Sequence, residues 1–263
     1  MDHAVDVAEQ AAVLIMDVYK KSDFGVQIKS DRTPVTQADL LAHHLIVKEL
    51  SKLTPDIPIL SEESLDIPWQ ARKTWQTYWL IDPLDGTKEF VDRNGEFTIN
   101  IALIFEGDPI VGVVLAPAID QVYMAAKNIG AFKRTDGKTL TPIKTRSVPE
   151  SGGQKNFRVV IGRRSFSDSL NMLFDKLPMH TVINLGSSLK TCHIAEGKAD
   201  LYPRYGKTSE WDTAAAQCIL ECAGGSVTNM QLSPLKYNSK ESLLNPSFIA
   251  WGDSSINWAD YLA

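Results

Sequence analysis

The stretch Trp79-Leu80-Ile81-Asp82-Pro83-Leu84-Asp85-Gly86-Thr87-Lys88-Glu89-Phe90 takes an apolar run straight into two aspartates that flank a proline. Residues 78–81 are apolar, too few for a helix and bounded by turn formers, which predicts a buried strand. Asp82 then stands at the carboxyl end of that strand, where open α/β sheets bind ligands. Pro83 fixes its own φ and lacks an N–H, and Gly86 accepts a backbone conformation that a Cβ resists. The expected product is a rigid turn that presents two carboxylates and one carbonyl, hard oxygen donors of the kind Mg²⁺ takes. Asp, Pro and Gly also build ordinary solvated turns, so the surrounding chain has to decide between the two.

At 263 residues with 44% hydrophobic content, the chain can bury a substantial core, as one large domain or as two packed ones. Lys and Arg total 27 against 32 Asp and Glu, a net charge of -5. That balance argues against a broad basic face for a nucleic-acid polymer. No stretch is apolar and long enough to span a bilayer, and residues 1–20 lack the basic segment and cleavage site of a secretory signal. Three cysteines, Cys192, Cys218 and Cys222, form no framework spacing and fit reduced thiols in a cytoplasm. The expected location is therefore cytoplasmic, with peripheral contact to an inner membrane left open.

Apolar residues at helical spacing predict a helix over 5–19. Lys29 and the loop Ser30-Asp31-Arg32-Thr33-Pro34 follow. Thr36 and Asp39 open a second helix that reaches about residue 53. Their T-x-x-D spacing is a capping motif, so Asp39 has a structural role ready beside any catalytic one. Residues 57–60 read as a short buried strand that ends in Ser61-Glu62-Glu63-Ser64, which brings Glu62 to a strand end shortly before the Asp82 strand. Residues 65–74 read as an exposed loop.

Residues 97–105, 110–115, 121–126 and 130–133 predict an antiparallel meander, with Glu106-Gly107-Asp108-Pro109 as hairpin punctuation. Between 146 and 156 the apolar pattern lapses around Pro149, Gly152 and Gly153, the best candidate boundary. It divides an α+β half, 1–150, from an α/β half, 151–263, closely packed as one unit. The second half alternates strands at 158–161, 181–185 and 199–202 with helices at 167–177, 188–195 and 212–223. Gly224-Gly225 ends the last helix, and Asp212 reads equally as its N-cap.

The three acidic turns together, Glu62-Glu63, Asp82 to Thr87 and Trp211-Asp212-Thr213-Ala214-Ala215 with Gly224-Gly225, resemble the pattern of the inositol monophosphatase superfamily of Mg²⁺-dependent, often lithium-sensitive phosphatases. The resemblance covers nearly the whole chain and implies a five-layer αβαβα sandwich. Within the superfamily, Gly186-Ser187-Ser188-Leu189-Lys190 and residues 195–204 are most similar to bacterial 3′(2′),5′-bisphosphate nucleotidases. Those enzymes, linked to sulfur assimilation, hydrolyse adenosine 3′,5′-bisphosphate to AMP and phosphate.

By this resemblance Glu62, Asp82, the Leu84 carbonyl, Asp85 and Asp212 would hold two or three Mg²⁺ ions. Asp39 and Thr87 would orient or deprotonate the attacking water, with Glu62 also in the catalytic set. The small-molecule substrate would meet Glu62, Leu84, Asp85, Gly86, Thr87, Lys190, Arg204 and Asp212. Helix starts bind phosphate readily, so the amides of Gly86, Thr87 and Lys88 are candidates for the phosphoryl group. Lys190 stands where inositol phosphatases usually carry a small or apolar residue, and a cation there could receive a second phosphate; an exposed helical lysine is the alternative. Tyr205 replaces a glutamate that many inositol phosphatases place seven residues before the last aspartate. An inositol monophosphatase and a non-catalytic nucleotide-binding regulator of the same fold are the competing functions, and the chain is expected as a monomer or homodimer.

Overall fold

Helical spacing of apolar residues produces α1 (Asp2–Tyr19), which buries Val5, Ala8, Ala11 and Ile15. The computed structural model describes residues 1–21, 27–28, 34–64, 66–137, 139–151, 153–165 and 167–262; Lys29 to Thr33 of the expected loop, Leu65 and Gly152 lie outside the described residues. A two-stranded ribbon, β1 (Gln27–Ile28) and β2 (Pro34–Val35), leads into α2 (Gln37–Leu53). Thr36 and Asp39 cap α2 reciprocally: the Thr36 hydroxyl accepts from the Ala38 amide, and the Asp39 carboxylate accepts from the Thr36 amide.

β3 (Ile59–Ser61), the short helix α3 (Trp69–Arg72), β4 (Thr77–Asp85) and α4 (Thr87–Val91) come next. The meander follows as β5 (Thr98–Phe105), β6 (Asp108–Ala116), β7 (Gln121–Ala126), β8 (Gly130–Thr135) and β9 (Thr139–Pro142). These strands make a seven-stranded sheet ordered β3 to β9, parallel only between β3 and β4. The rest of the chain supplies β10 (Glu150–Ser151), β11 (Gln154–Ile161), α5 (Asp168–Lys176), β12 (Met179–Asn184), α6 (Leu189–Ala195) and β13 (Leu201–Arg204). A 3₁₀ turn (Glu210–Asp212), α7 (Ala214–Cys222), β14 (Ser226–Asn229), β15 (Phe248–Trp251) and α8 (Ala259–Leu262) complete it. In the second sheet β11 pairs in parallel with β12 and β13, and β15 lies antiparallel between β13 and β14.

Strand periodicity sends neighbouring residues to opposite faces, and β4 shows the consequence. Ile81 joins the core formed with α1 and α2, beside Ile15 and Ile46. Leu80 joins the core that encloses α6 and α7 between the two sheets, with Val114, Ile194, Ile219 and Ala250. On the outer face of the second sheet, α5 and α8 pack on Phe157, Val159 and Ile249. The layers therefore run helix, sheet, helix, sheet, helix, the five-layer α/β sandwich. Helix α7 reaches the first sheet closely because Gly112 has no side chain: a Cβ there would stand 2.3 Å from the Ala215 carbonyl oxygen.

Several expectations need correction. β4 continues past Ile81: Asp82 pairs with Asn100 and Asp85 with Thr98, with a register shift between them. The two aspartates thus sit in a bulged strand of a mixed sheet, and the bulge accommodates the N–H that Pro83 lacks. Residues 66–74 are not a plain exposed loop, because α3 forms and Arg72 is buried, its guanidinium over the Trp69 ring and donating to Asn238 Oδ1 at 2.7 Å. Asp108 and Pro109 belong to β6. Asp212 is not the N-cap of α7; it closes the preceding 3₁₀ turn, where its carboxylate accepts from the Ser209 amide at 2.8 Å. β9, β14, β15 and α8 have no counterpart in the sequence-based expectation. Among the described residues no helix is long and apolar enough to cross a membrane.

Candidate active site

Three turns of the fold converge on one point. Because β3 and β4 are parallel neighbours, the Glu62 amide donates to the Ile81 carbonyl at 3.2 Å, which places Glu62 beside Asp82. From the other half of the chain the 3₁₀ turn delivers Asp212. Glu62, Asp82 and Asp212 each present a carboxylate oxygen, and these oxygens all lie within 4.8 Å of one another. Asp85 comes from the end of β4, its backbone carbonyl accepting from the Ser187 hydroxyl at 2.9 Å.

Burial makes this convergence electrostatically severe. Asp82 is 1% exposed. Its Oδ1 accepts from the Leu84 amide at 3.0 Å, while its Oδ2 is buried without a hydrogen-bond partner. Desolvation, then the charges of Glu62, Asp85 and Asp212, push the Asp82 carboxyl well above the ordinary aspartate range. Asp212 is raised to about 8, by burial first and by Asp85 second. An unpartnered buried oxygen inside an all-oxygen acidic cluster fits a hard divalent cation: Glu62, Asp82 and Asp212 form a site that suits a metal ion.

Asp39 and Thr87 meet beside this cluster. Asp39 Oδ2 accepts from the Thr36 hydroxyl at 2.6 Å, and Asp39 Oδ1 accepts from the Thr87 hydroxyl at 3.4 Å. One carboxylate therefore caps a helix with one oxygen and faces the site with the other. Burial, as the largest cause, raises Asp39 to about 6. Gly86 adopts φ +88 between Asp85 and Thr87, and a Cβ there would stand 2.1 Å from Ser187 Oγ, so glycine is required both by conformation and by the approach of the second half.

Beside the carboxylates lies a cavity of about 320 Å³ whose lining includes Asp85, Asp212, Lys88, Arg163, Lys190 and Arg204. Lys190 is not an exposed helical lysine. It is 7% exposed, donates to the Ser187 carbonyl at 2.6 Å and holds its ammonium 5.3 Å from the Tyr202 ring centroid. Burial is the largest cause that brings its pKa down to about 8; Asp85 pulls it upward and the Arg204 charge acts in the same direction as burial. Arg204 donates to Ser165 Oγ and to the Lys207 carbonyl, while its Nε is buried without a partner. Leu84 is buried in the core between the bulge residues.

Sequence reasoning missed two cavity cations, Arg163 and Arg164, which pair with Glu96 and with Asp92 across the two halves of the chain. The signal was present: Gly162-Arg163-Arg164 directly follows a strand end, where ligands gather. It also missed Ser188, buried at the start of α6.

Comparison with known proteins agrees with the fold. A sequence model of the inositol monophosphatase family matches residues 1–254. The 3′(2′),5′-bisphosphate nucleotidase CysQ of Escherichia coli strain K12 is 44% identical over 250 residues, covering 94% of this chain and 98% of that protein. The protein of the same name from Haemophilus influenzae is 36% identical over 253 residues, covering 96% and 92%. Among solved structures, CysQ from Bacteroides thetaiotaomicron, described as a bacterial member of the inositol monophosphatase family, superposes with a TM-score of 0.81 at 37% identity, covering 95% of this chain and 96% of that one. The Thermotoga maritima IMPase superposes at 0.77 with 26% identity, covering 99% and 95%. The chain belongs to the inositol monophosphatase family.

Proposed function

We propose that this protein is a Mg²⁺-dependent phosphatase that removes the 3′-phosphate of adenosine 3′,5′-bisphosphate, leaving AMP and phosphate. One observation carries the choice of substrate: the buried Lys190 and the half-buried Arg204 line the same cavity as Asp85 and Asp212. A ligand held at the carboxylates can thus place a second anionic group against a cation. The names of the bacterial relatives support the same substrate.

Glu62, Asp82, Asp85, Asp212 and the Leu84 carbonyl would hold two or three Mg²⁺ ions. When bound, Mg²⁺ would supply acidification of water, charge compensation on the phosphoryl oxygens and stabilisation of the leaving alkoxide. The chain's own residues have the remaining tasks. Asp39, raised to about 6 by burial, is placed to take a proton near neutral pH. The Thr87 hydroxyl donates to Asp39, which leaves its lone pairs to orient a water. The amides of Gly86 and Thr87 would meet the phosphate that is cleaved, and Lys190 and Arg204 the one that is kept. The three free cysteines suit a reducing compartment, and we place the enzyme in the cytoplasm.

Phosphate release from adenosine 3′,5′-bisphosphate and from inositol 1-phosphate, measured side by side, tests the substrate. The nucleotide is expected to be strongly preferred, and Lys190→Ala to raise its KM by roughly 10- to 100-fold with little change on a nucleoside 3′-monophosphate. Preference for inositol 1-phosphate would overturn the assignment, and equal losses on both nucleotides would remove Lys190 from it.

Asp39→Asn keeps an oxygen for the Thr36 amide and loses the base. Its thermal midpoint is expected to stay near that of the wild type while kcat falls roughly 10²-fold or more. A lower midpoint with unchanged kcat would reduce Asp39 to a helix cap.

The raised carboxyls also fix a pH dependence. Asp39, Asp82 and Asp212 hold protons in the folded chain over a range where an unfolded aspartate, with a pKa of about 3.9, has lost them. The folded state then binds more protons, so the contribution of these groups to metal-free stability falls as pH rises through that window. Mg²⁺ binds the deprotonated carboxylates and reverses the trend. Melting curves should show a Mg²⁺-induced shift that grows between about pH 5 and about pH 8; a shift independent of pH would contradict the reading.

A further inference from the structure

A set of uncharged polar side chains lies against the carboxylates and takes no part in the ligand set above. Thr98 and Asn100 sit two apart on β5 and so share a face of the strand; both are buried, at 0% and 1% exposure. Ser188, 5% exposed, comes from the other half of the chain at the start of α6. Thr98 Oγ1 donates to Asn100 Oδ1 at 3.0 Å, and Asn100 Nδ2 donates to Ser188 Oγ at 2.9 Å. Ser188 Oγ then stands 3.1 Å from Asp85 Oδ2 and 2.9 Å from the Asp212 backbone carbonyl. Thr98 and Asn100 lie farther from Asp85 Oδ2, at 3.4 and 3.5 Å.

Counting protons gives the set a direction. A hydroxyl donates once, and an amide side chain accepts at oxygen and donates at nitrogen. With Oδ1 accepting from Thr98, Asn100 turns its NH₂ toward Ser188. Ser188, with a lone pair so occupied, can only donate onward, to the Asp85 carboxylate or to the carbonyl of Asp212. Both of those acceptors belong to residues placed in the metal set, and they arrive from different halves of the chain. Two like charges so brought together repel, and Asp85 is the largest charge contribution acting on Asp212. A neutral hydroxyl set between the Asp85 carboxylate and the Asp212 backbone carbonyl restrains Asp85 without adding charge.

We propose that Thr98, Asn100 and Ser188 form a positioning relay that holds Asp85 against Asp212, so that the two halves of the chain present a single cation-binding set. The proposal rests on the metal reading given above. Ser188 also lines the cavity, but the relay acts on cation affinity, by orienting a ligand, a kind of support whose removal weakens metal binding by roughly 10- to 100-fold.

Calorimetric titration of Mg²⁺ into the purified, nucleotide-free protein reads this without reference to turnover. Ser188→Ala is expected to weaken Mg²⁺ binding by roughly 10- to 100-fold, and Thr98→Val by less in the same direction. Because Thr98 acts through Ser188, the double variant should bind no more weakly than Ser188→Ala alone. Unchanged affinity in Ser188→Ala, with normal binding by the wild type, would overturn the relay alone, and so would fully additive losses in the double variant. Should Ser188→Ala fail to fold, Thr98→Val decides the matter by the same criterion, weaker binding supporting the relay and unchanged binding overturning it. Absence of Mg²⁺ binding by the wild type would overturn the metal reading and the relay together.

Discussion

Mutual repulsion among closely spaced carboxylates governs the layout of this molecule. Two unit charges about 4 Å apart at an effective dielectric near 20 repel by about 4 kcal/mol, and Glu62, Asp82 and Asp212 bring oxygens within 4.8 Å of one another. Stability alone would never select such a cluster. It persists in the fold because each member is tied to a rigid element: Asp82 to a bulged strand between two neighbours, Asp212 to a 3₁₀ turn closed by its own carboxylate, Glu62 to the parallel pairing of β3 with β4. The raised pKa values of Asp82 and Asp212 express the same strain: without a cation, protons reduce the charge.

The five layers divide the work of assembling that cluster. The first sheet carries Asp82 and Asp85, and the chain beyond it carries Asp212, Lys190 and Arg204. Beside the site, the closest backbone approach between the halves is made where side chains are absent or small. Gly86 lets Ser187 approach, and Gly186 donates to Glu96 at 2.8 Å. Ion pairs from Arg163 to Glu96 and from Arg164 to Asp92 join the same two regions. The cavity between them is lined by the carboxylates of Asp85, Glu89 and Asp212 and by the cations Lys88, Arg163, Arg164, Lys190 and Arg204.

Local chemistry made much of this legible from the amino acids. The T-x-x-D spacing identified the start of α2, alternation identified the meander, and three acidic turns in order pointed to the carboxylates that converge in the fold. What stayed hidden depends on distant parts of the chain. The extension of β4 through Asp82 and Asp85 follows from pairing with Asn100 and Thr98, which overrides the turn propensity of Asp, Pro and Gly. Arg72 is buried because residues 238–241 accept its hydrogen bonds, and nothing near it in sequence announces that. Lys190 looks like a solvated helical lysine until the fold places the ring of Tyr202 beneath it. β15 is a short apolar run whose strand state comes from partners on both sides.

The central claim is that the acidic cluster is destabilising on its own and is completed by a divalent cation. Melting curves of Asp82→Asn and the wild type, each with and without Mg²⁺, test it most directly, because the substitution removes a charge while keeping the shape. The account predicts that the metal-free variant melts higher than the metal-free wild type, that Mg²⁺ no longer raises its midpoint, and that phosphate release is lost. A variant that melts lower without metal and keeps the full Mg²⁺ shift would contradict it.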